Sequence, residues 1–271
     1  MDYLSRTGSP ISDALWAQLD AAAVGVARNV LTGRRFLRLT GPLGIGVTSV
    51  QIDDLETKSE VLKDGFVVTQ GRKLTAIPTL YEDFSLLARD LAAAEQAGFP
   101  PDLTPVMTAA QTAALREDRL IFLGNVKLGV DGLLSAPGVN RQKKTDWSAG
   151  ENAFSDVAAA IDTLVLKGVY GAYTLVLSPA LHTQLQRLQP GTGLLEIDRL
   201  AKLVGGQLYK TPALGKDQAV LLCAQPENMD LVVGQDLAAS YLEQRDLNHH
   251  FRLVETVIPR IRRAKAIVAF E

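Results

Sequence analysis

The sequence predicts an α+β fold, and three observations support this. Residues 151–224 alternate between helix and strand patterns, residues 229–271 are rich in strand patterns, and residues 45–78 place two strand patterns around a charged segment. Hydrophobic residues make up 47% of the 271 residues and charged residues 21%. This composition excludes intrinsic disorder and supplies enough apolar material for a large core.

The chain opens with an amphipathic helix over residues 12–31. Its apolar residues recur at spacings of one, three and four, and Ser12 or Asp13 can cap its N-terminus. Gly33 is expected to end the helix in the C′ position. The alternation in residues 34–39 then predicts a half-buried strand, which a turn at Gly41-Pro42 closes.

Residues 45–78 predict a long hairpin arm. An acidic stretch at residues 53–64 lies between an apolar segment ending at Ile52 and a second strand pattern at residues 66–68. The arm has too few apolar residues to fold alone, so something else must cover it.

The rest of the chain is predicted from the spacing of its apolar residues and from the residues that start and end helices and strands. Thr104 as N-cap and Pro105 at the first helical position give a strong helix start, and residues 135–150 read as a loop and a module boundary. The predicted helices span residues 82–97, 104–122, 152–167, 178–188 and 194–204, and the predicted strands residues 173–177, 219–223, 231–233, 251–257 and 264–270.

Charge and composition exclude several classes of protein. A net charge of −2 argues against broad nucleic-acid binding, and the longest apolar run, residues 219–224, is far too short to span a membrane. The N-terminus lacks the pattern of a signal peptide. A single cysteine excludes an intrachain disulfide and agrees with a cytosolic location, and three histidines leave little room for metal chemistry.

No catalytic motif stands out. The glycines of residues 41–46 lack the spacing of a phosphate loop, and His182 has no nucleophile elbow nearby, which argues against a hydrolase. Cys223 lies in an apolar strand and is expected to be an inert buried thiol, and residues 249–250 are expected to be solvated surface histidines. The basic residues between 260 and 265 indicate a solvated or ion-paired face, or an interface with the acidic arm of another copy.

Several segments resemble the encapsulins, bacterial proteins that build icosahedral cargo compartments with the tailed-phage capsid fold. No single segment is decisive, but their order and spacing match the family essentially from end to end. The segments are LWAQLD at residues 15–20, GRRF at 33–36 with GP at 41–42, EDRLIFLG at 117–124, GLLS at 132–135, GAYTLV at 171–176, GG at 205–206, TP at 211–212, LVVGQDL at 231–237 and ET at 255–256.

The resemblance implies a Hong-Kong-97-type phage major capsid fold with three parts. The peripheral domain would comprise residues 1–44, 79–137 and 227–271, with the helix at 104–122 as its spine. Residues 45–78 would form the extended loop that crosses to a neighbouring subunit, and residues 138–226 the axial domain, whose tips meet at the fivefold axes.

The resemblance also implies candidate site residues. Cargo would dock on the inner face, between the first helix and the strand around Val233, on an apolar floor flanked by arginines that favour a cargo tail with an acidic residue or a terminal carboxylate. The predicted docking residues are Arg34, Leu37, Arg38, Leu39, Val232, Val233, Gly234 and Asp236; the fivefold pore loop is Pro190, Gly191, Thr192 and Gly193; the intersubunit arm carries Asp53, Asp54, Glu56 and Glu60.

Three places depart from the family pattern. The axial tip of the family often carries a His or Tyr before a Pro, and Gly191, Thr192 and Gly193 stand there instead. Arg38 stands where the family often has an acidic residue, so the charge of the cargo signal is expected to differ. Some members bind flavin through a tryptophan after the extended loop, but Leu86 stands near that place, so no flavin or other cofactor is predicted.

The implied function is that of a shell subunit, not an enzyme. About sixty copies, the T = 1 arrangement, would enclose a peroxidase or a ferritin-like protein held by a short targeting peptide, as a cytoplasmic nanocompartment without nucleic-acid or membrane partners. A prophage major capsid protein is the alternative. It would normally need a scaffold or delta segment, whereas the first helix begins about ten residues into this chain. A hydrolase or protease is a third, disfavoured hypothesis.

Overall fold

The computed structural model describes residues 3–271. Within them the α-helices are α1 (Asp13–Val30), α2 (Ala88–Ala97), α3 (Thr104–Leu123), α4 (Asn152–Leu166), α5 (Pro179–Gln184) and α6 (Glu196–Leu203). The strands are β1 (Leu39–Thr40), β2 (Ser49–Asp53), β3 (Ser59–Lys63), β4 (Phe66–Gln70), β5 (Arg72–Ala76), β6 (Thr79–Leu87), β7 (Gly124–Asn125), β8 (Val130–Asp131), β9 (Asn140–Gln142), β10 (Thr174–Leu177), β11 (Leu208–Lys210), β12 (Ala219–Leu222), β13 (Met229–Val233), β14 (Ala238–Arg245), β15 (Asn248–Ile261) and β16 (Ile267–Phe270).

The first sheet has the order β1-β13-β15-β14, with β6 paired to β15. β1 runs parallel to β13, and the remaining pairs are antiparallel. Helices α1 and α3 pack on each other and against this sheet. Phe251 centres their shared core, because Trp16 meets its ring edge-on at 5.7 Å and Phe84 stacks on it at 5.1 Å. Trp16 is therefore a core aromatic.

The second sheet has the order β11-β10-β12-β16-β9. Every residue of β10, β12 and β16 is buried, which explains why these segments read as nearly continuous apolar runs. Trp147 packs edge-on against Phe270 of β16, and its indole N–H donates to the Asp156 carboxylate at 2.7 Å.

The last strand lies elsewhere than expected. β16 pairs with β12 along its whole length, so residues 267–270 belong to the second sheet and not with the rest of the segment 227–271. One apolar cluster also runs from Leu37 and Val50 through Phe122 to Phe270, so the two sheets share a continuous core. The division of the chain into peripheral and axial domains is otherwise a prediction.

The arm consists of two antiparallel ribbons in series. β2 pairs with β5 to form the base ribbon, and β3 pairs with β4 to form the outer hairpin, residues 59–70. Asp64 and Gly65 connect β3 to β4 with φ values of 50° and 80°, as a two-residue turn of the primed type requires. The predicted hairpin arm is therefore present, with its acidic stretch divided between the two ribbons.

Three predicted elements are wrong or displaced. Residues 79–87 are strand β6 rather than the start of a helix, because Leu80, Phe84 and Leu86 bury with the period of two that a strand imposes. Residues 34–39 contain a short 3₁₀ helix (Gly33–Arg35) and only the two residues of β1 as strand. α3 begins at Thr104, and the N-cap is Leu103 rather than Thr104.

Gly33 also has a different role from the predicted one. α1 ends at Val30, the N–H of its C-cap residue Leu31 donates to the Ala27 carbonyl at 2.8 Å, and Gly33 starts the 3₁₀ helix. A Cβ at Gly33 would lie 2.5 Å from Ile121 Cδ1 of α3. Glycine is needed here because the chain passes close to α3, not because the helix needs a left-handed cap.

Candidate assembly and cargo surfaces

A groove of about 360 Å³ lies between the C-terminal half of α1, β1 and the turn after β13. The side chain of Asp118 on α3 fixes one wall, because its carboxylate accepts hydrogen bonds from the backbone N–H groups of Thr32 (3.0 Å) and Gly33 (2.9 Å) and from the Thr211 hydroxyl (3.2 Å). The residues that line the groove are Val24, Ala27, Arg28, Leu31, Arg34, Arg35, Leu39, Asp236 and Leu237.

The groove lies where cargo docking is predicted, but its floor differs from the prediction. Leu37, Val232 and Val233 are buried in the core, and Gly234 is buried as well, so a bound peptide has no access to them. Leu39 is 43% exposed and lies in the groove. Arg38 is exposed but borders a neighbouring cavity, together with Arg35 and Phe36.

The burial of these side chains has a simple cause. β1 pairs in parallel with β13, which places Leu39 beside Leu231 at the edge of the first sheet, while the rest of β13 continues into its interior. The alternation of residues 34–39 therefore does not define two exposed strand faces. The aliphatic surface open to a ligand comes from α1 and Leu237 instead.

Arg34 is held beneath the groove by three carboxyl groups. Its Nε donates to Glu117 Oε1 and its Nη1 to Asp236 Oδ1, both at 2.8 Å, and its Nη2 is hydrogen-bonded to Glu255. Glu117 and Glu255 are almost fully buried, whereas Asp236 is half exposed at the groove mouth. Arg34 is thus already paired within the chain and is not free to receive a carboxylate from cargo, contrary to the prediction.

One arginine cannot neutralise three carboxylates. Burial raises the pKa of Glu117, and burial together with the charge of Glu117 raises the pKa of Glu255 well above its usual value. The pair therefore holds a proton at pH values where an exposed glutamate is ionised.

The predicted acidic residues of the arm are satisfied by their own chain. Asp53 is paired with Lys58 at 2.6 Å and with Arg72 at 2.9 Å, and these two hydrogen bonds hold the pKa of its carboxyl below the usual range. Asp54 accepts from the Glu56 N–H and the Thr57 hydroxyl. Glu60 accepts from the Thr69 hydroxyl at 2.8 Å.

The unsatisfied surface of the arm is apolar instead. Six large apolar side chains of the arm are exposed, although the sequence prediction singled out only its charges: Leu55, Leu62, Phe66, Val67, Val68 and Leu74. The sequence does indicate this surface. Residues 66–68 are three consecutive apolar residues, and because neighbouring residues of a strand point to opposite faces, one buried face cannot account for all three.

The basic residues of 260–265 form an ion-paired face. Arg260 and Arg262 both bind the buried carboxylate of Asp230, at 2.6 and 3.2 Å. Burial opposes ionisation of Asp230, but the hydrogen bonds from Arg260 and Thr40 hold its pKa below the usual value. Lys265 pairs with Glu56 of its own arm at 3.0 Å, so this contact joins arm and core within one chain rather than two copies.

The predicted pore loop is an exposed tip. Residues 190–193 lie between Leu188 and Leu195, which form an isolated β-bridge. Gly191 and Gly193 adopt φ values of 81° and 68°. The Thr192 hydroxyl donates to the Gln189 carbonyl at 3.1 Å, which closes the tip on itself.

The cysteine and the histidine at position 249 both lie in buried positions. Cys223 is buried, and burial raises the pKa of its thiol. His249 is buried beside the Tyr241 hydroxyl at 3.2 Å, so the expectation of a solvated histidine is wrong there. Among residues 3–271, no cluster of three or more His, Cys, Asp or Glu side chains is placed to hold a metal ion. In the same range, no helix combines the length and apolar character needed to span a bilayer.

Comparison with solved structures shows the fold. The crystal structure of a virus-like particle from Pyrococcus furiosus superposes with a TM-score of 0.77 at 20% sequence identity, covering 95% of this chain and 99% of the other. The capsid of Myoviridae phage XM1 gives a TM-score of 0.61 at 14% identity, covering 89% and 91%. The chain therefore has the Hong-Kong-97-type capsid fold, as the resemblance implies.

Sequence comparison shows the family. The chain belongs to the Linocin_M18 family, described as "Encapsulating protein for peroxidase", whose model matches residues 1–258. It is 36% identical over 277 aligned positions to the type 1 encapsulin shell protein EncA of Myxococcus xanthus, covering 100% of this chain and 96% of that protein. Encapsulin shell proteins are structural components, and the prophage alternative gains no support over this family.

Proposed function

We propose that this chain is the subunit of a closed icosahedral shell of the T = 1 type, about sixty copies, that encloses a cargo enzyme in the cytoplasm. The observation that carries the proposal is the projecting arm, with its exposed apolar side chains, on a fold shared with capsids and encapsulins. Its family's description favours a peroxidase as the cargo class, with a ferritin-like protein as the other candidate.

The assembly proposal is tested on the purified protein. We expect size-exclusion chromatography to give a single large particle and electron microscopy to give a hollow shell with icosahedral symmetry. Monomers or dimers at ordinary salt would refute it. Deleting residues 53–64 should abolish particles. The deletion removes Lys58 and Glu56, which tie the arm to its base and to Lys265, together with the whole of β3.

We propose that cargo docks in the groove beside α1 through a short C-terminal or N-terminal tail. Leu39 and Leu237 offer aliphatic contact, and the exposed side chains of Arg28 and Arg35 can pair with an acidic residue of the tail. A few buried aliphatic groups at about 25 cal/mol per Å² give only modest affinity, so many copies facing one cargo oligomer would supply retention by avidity.

The docking proposal is tested by co-expressing shell and cargo and measuring cargo retained per shell. Leu39→Asp should give intact but nearly empty shells, and Arg28→Gln partly loaded ones. Leu242→Asp is the matched control, because Leu242 is equally exposed at 43% but lies on β14, outside the groove. Undiminished loading in Leu39→Asp shells would place the docking site elsewhere.

We propose that the tips at residues 190–193 surround a pore at the fivefold axes. Support comes from their exposure and from the two glycines with positive φ, which allow a narrow turn without side chains. Replacing Thr192 with a bulky residue should leave assembly intact and slow the access of small substrates to enclosed cargo. Unchanged access would argue against a pore at this tip.

A further inference from the structure

Asp236 connects the buried acidic cluster to the groove. Its Oδ1 accepts two hydrogen bonds, one from Arg34 Nη1 at 2.8 Å and one from the backbone N–H of Leu237 at 2.9 Å. Leu237 in turn lines the groove and packs against Ala27 and Leu31 at the end of α1. One carboxylate oxygen therefore holds the buried arginine and one wall of the groove together.

The chain is anchored on both sides of this contact. On one side, the N–H of Gln235 donates to the Thr256 hydroxyl at 2.6 Å, and the N–H of Thr256 donates back to the Gln235 carbonyl at 2.9 Å. On the other side, β14 begins at Ala238, which pairs with Val254 of β15. The two residues between these anchors can therefore change position without unpairing either strand.

The three carboxyl groups around Arg34 differ in their access to water. The side chains of Glu117 and Glu255 are 1% and 2% exposed, whereas that of Asp236 is 57% exposed. Asp118, the other acidic group packed beside Glu117, is already held by two backbone N–H groups. A buried carboxylate without a cation is costly, whereas water solvates an exposed one, so Asp236 is the partner that Arg34 can lose.

We infer that the buried pair Glu117 and Glu255 is a pH switch that opens and closes the mouth of the groove. This inference rests on the proposed docking of cargo in that groove. While the pair holds a proton, Arg34 also binds Asp236, and the groove wall is fixed. When the proton leaves, both buried carboxylates need the guanidinium, and Asp236 turns to water.

Opening has two effects on a bound cargo tail. The N–H of Leu237 loses its acceptor, so this side chain no longer holds its place on the wall. A free carboxylate also appears at the groove mouth and repels an acidic residue of the tail. Arginine side chains stay protonated in proteins, so Arg28 and Arg35 on the wall do not titrate. The tail is therefore expected to detach as the pair loses its proton.

The direction of the switch agrees with the surroundings of the pair. Burial, and then the charge of Glu117, raise the pKa of Glu255 well above its usual value. The closed groove is therefore the low-pH state, and it is lost as pH rises through that raised pKa.

Hydrogen exchange of backbone amides tests the switch without cargo. We measure exchange of the purified protein by mass spectrometry in peptides that cover residues 234–241, and we divide each rate by the intrinsic rate at the same pH. In the parent, protection should fall by on the order of tenfold between about pH 5 and about pH 8. Glu255→Gln should show constant protection, because it removes the second buried ionisation. Glu95→Gln is the matched control on the exposed face of α2 and should behave as the parent.

A second variant covers the case in which Glu255→Gln does not fold. Asp236→Asn changes an exposed side chain and keeps an oxygen for Arg34 and for the Leu237 N–H. The second buried charge does not repel a neutral amide, so protection should again be independent of pH. Circular dichroism at each pH checks that the proteins compared are folded.

Electron cryomicroscopy of shells loaded with co-expressed cargo connects the switch to docking. Density for the cargo tail should occupy the groove of the parent at about pH 5 and weaken at about pH 8, whereas both variants should keep it at both pH values.

The outcomes separate the two proposals. An equal loss of protection in the parent and in Glu255→Gln or Asp236→Asn overturns the switch and leaves docking intact. A change in exchange with constant groove density overturns the control of cargo by the switch. Tail density at another place on the shell overturns the docking proposal itself.

Discussion

The buried pair Glu117 and Glu255 makes the stability of this subunit depend on pH in an unusual direction. Arg34 is the cation that hydrogen-bonds both glutamates, and it also binds Asp236, while Asp118 adds further negative charge next to Glu117. Replacing Glu255 with glutamine keeps the size of the side chain and a hydrogen-bond donor toward Glu117. It removes the second buried ionisation.

The sign follows from the raised pKa of Glu255 in the folded state, caused by burial and then by the charge of Glu117. Its stabilising contribution is fully present below the pKa of an unfolded glutamate, about 4.3, and is lost as pH rises through the folded-state pKa. Within that window each pH unit lowers the free energy of unfolding by about 1.4 kcal/mol. The Glu255→Gln variant should lack this loss.

The assay is the melting temperature of parent and variant in matched buffers, measured from about pH 4.3, the pKa of an unfolded glutamate, upward. The advantage of Glu255→Gln should grow with pH, by roughly 3 °C for each pH unit inside the window. Glu95→Gln is the control, since Glu95 is exposed on α2. A parallel pH dependence in parent and variant, or a variant that is less stable at every pH, would refute the raised pKa of Glu255 and mean that this carboxyl is ionised beside Arg34.

Three further substitutions test the packing that positions the groove. Gly41→Ala should lower the free energy of unfolding by on the order of 2–3 kcal/mol, because φ is 126° and the new Cβ would lie 2.2 Å from the Val233 carbonyl oxygen. Gly46→Ala is the control in the same denaturant titration and should be nearly neutral, because its Cβ would have no atom within 4 Å. Asp118→Ala should lower the free energy of unfolding by about 2–3 kcal/mol in the same titration, because the buried N–H groups of Thr32 and Gly33 lose their acceptor. An unchanged midpoint would mean that water replaces the carboxylate. Trp16→Ala should cost about 3–5 kcal/mol and reduce soluble yield, because it empties the space against Phe251; a cost below 1 kcal/mol would show that α1 is not packed as described.

The elements predicted best were those whose sequence signals are local. α1 with its Ser12 cap, α4, and the fully buried strands β10 and β12 lie within a residue or two of the predicted bounds. β6 was missed because it runs without a break into α2, whose residues are good helix formers, and only its pairing with β15 shows where the strand ends. β14 was not predicted, and it likewise depends on β15 as its partner.

The site was harder to predict because its contacts are distant in sequence. Arg34 meets Glu117 and Glu255 across 83 and 221 residues, so nothing near Arg34 shows that its charge is already used. The exposure of the aliphatic side chains was mispredicted for the same reason. Leu39 and Val233 look equivalent as aliphatic strand residues, and only their places at the edge and interior of the first sheet make one accessible and the other buried.

The arm shows why the isolated subunit and the assembled subunit have different stabilities. The core is complete without residues 59–70, so the outer hairpin adds little to the folding of one chain. In water it is a two-stranded ribbon with unpaired edges and two apolar faces, which is marginally stable alone and prone to pair with other chains. Association that covers those faces stabilises the hairpin by mass action, so its order should rise with protein concentration and be greatest in the closed particle. The same side chains that drive assembly would therefore make unassembled subunits prone to aggregate, which couples the yield of soluble protein to the efficiency of shell closure.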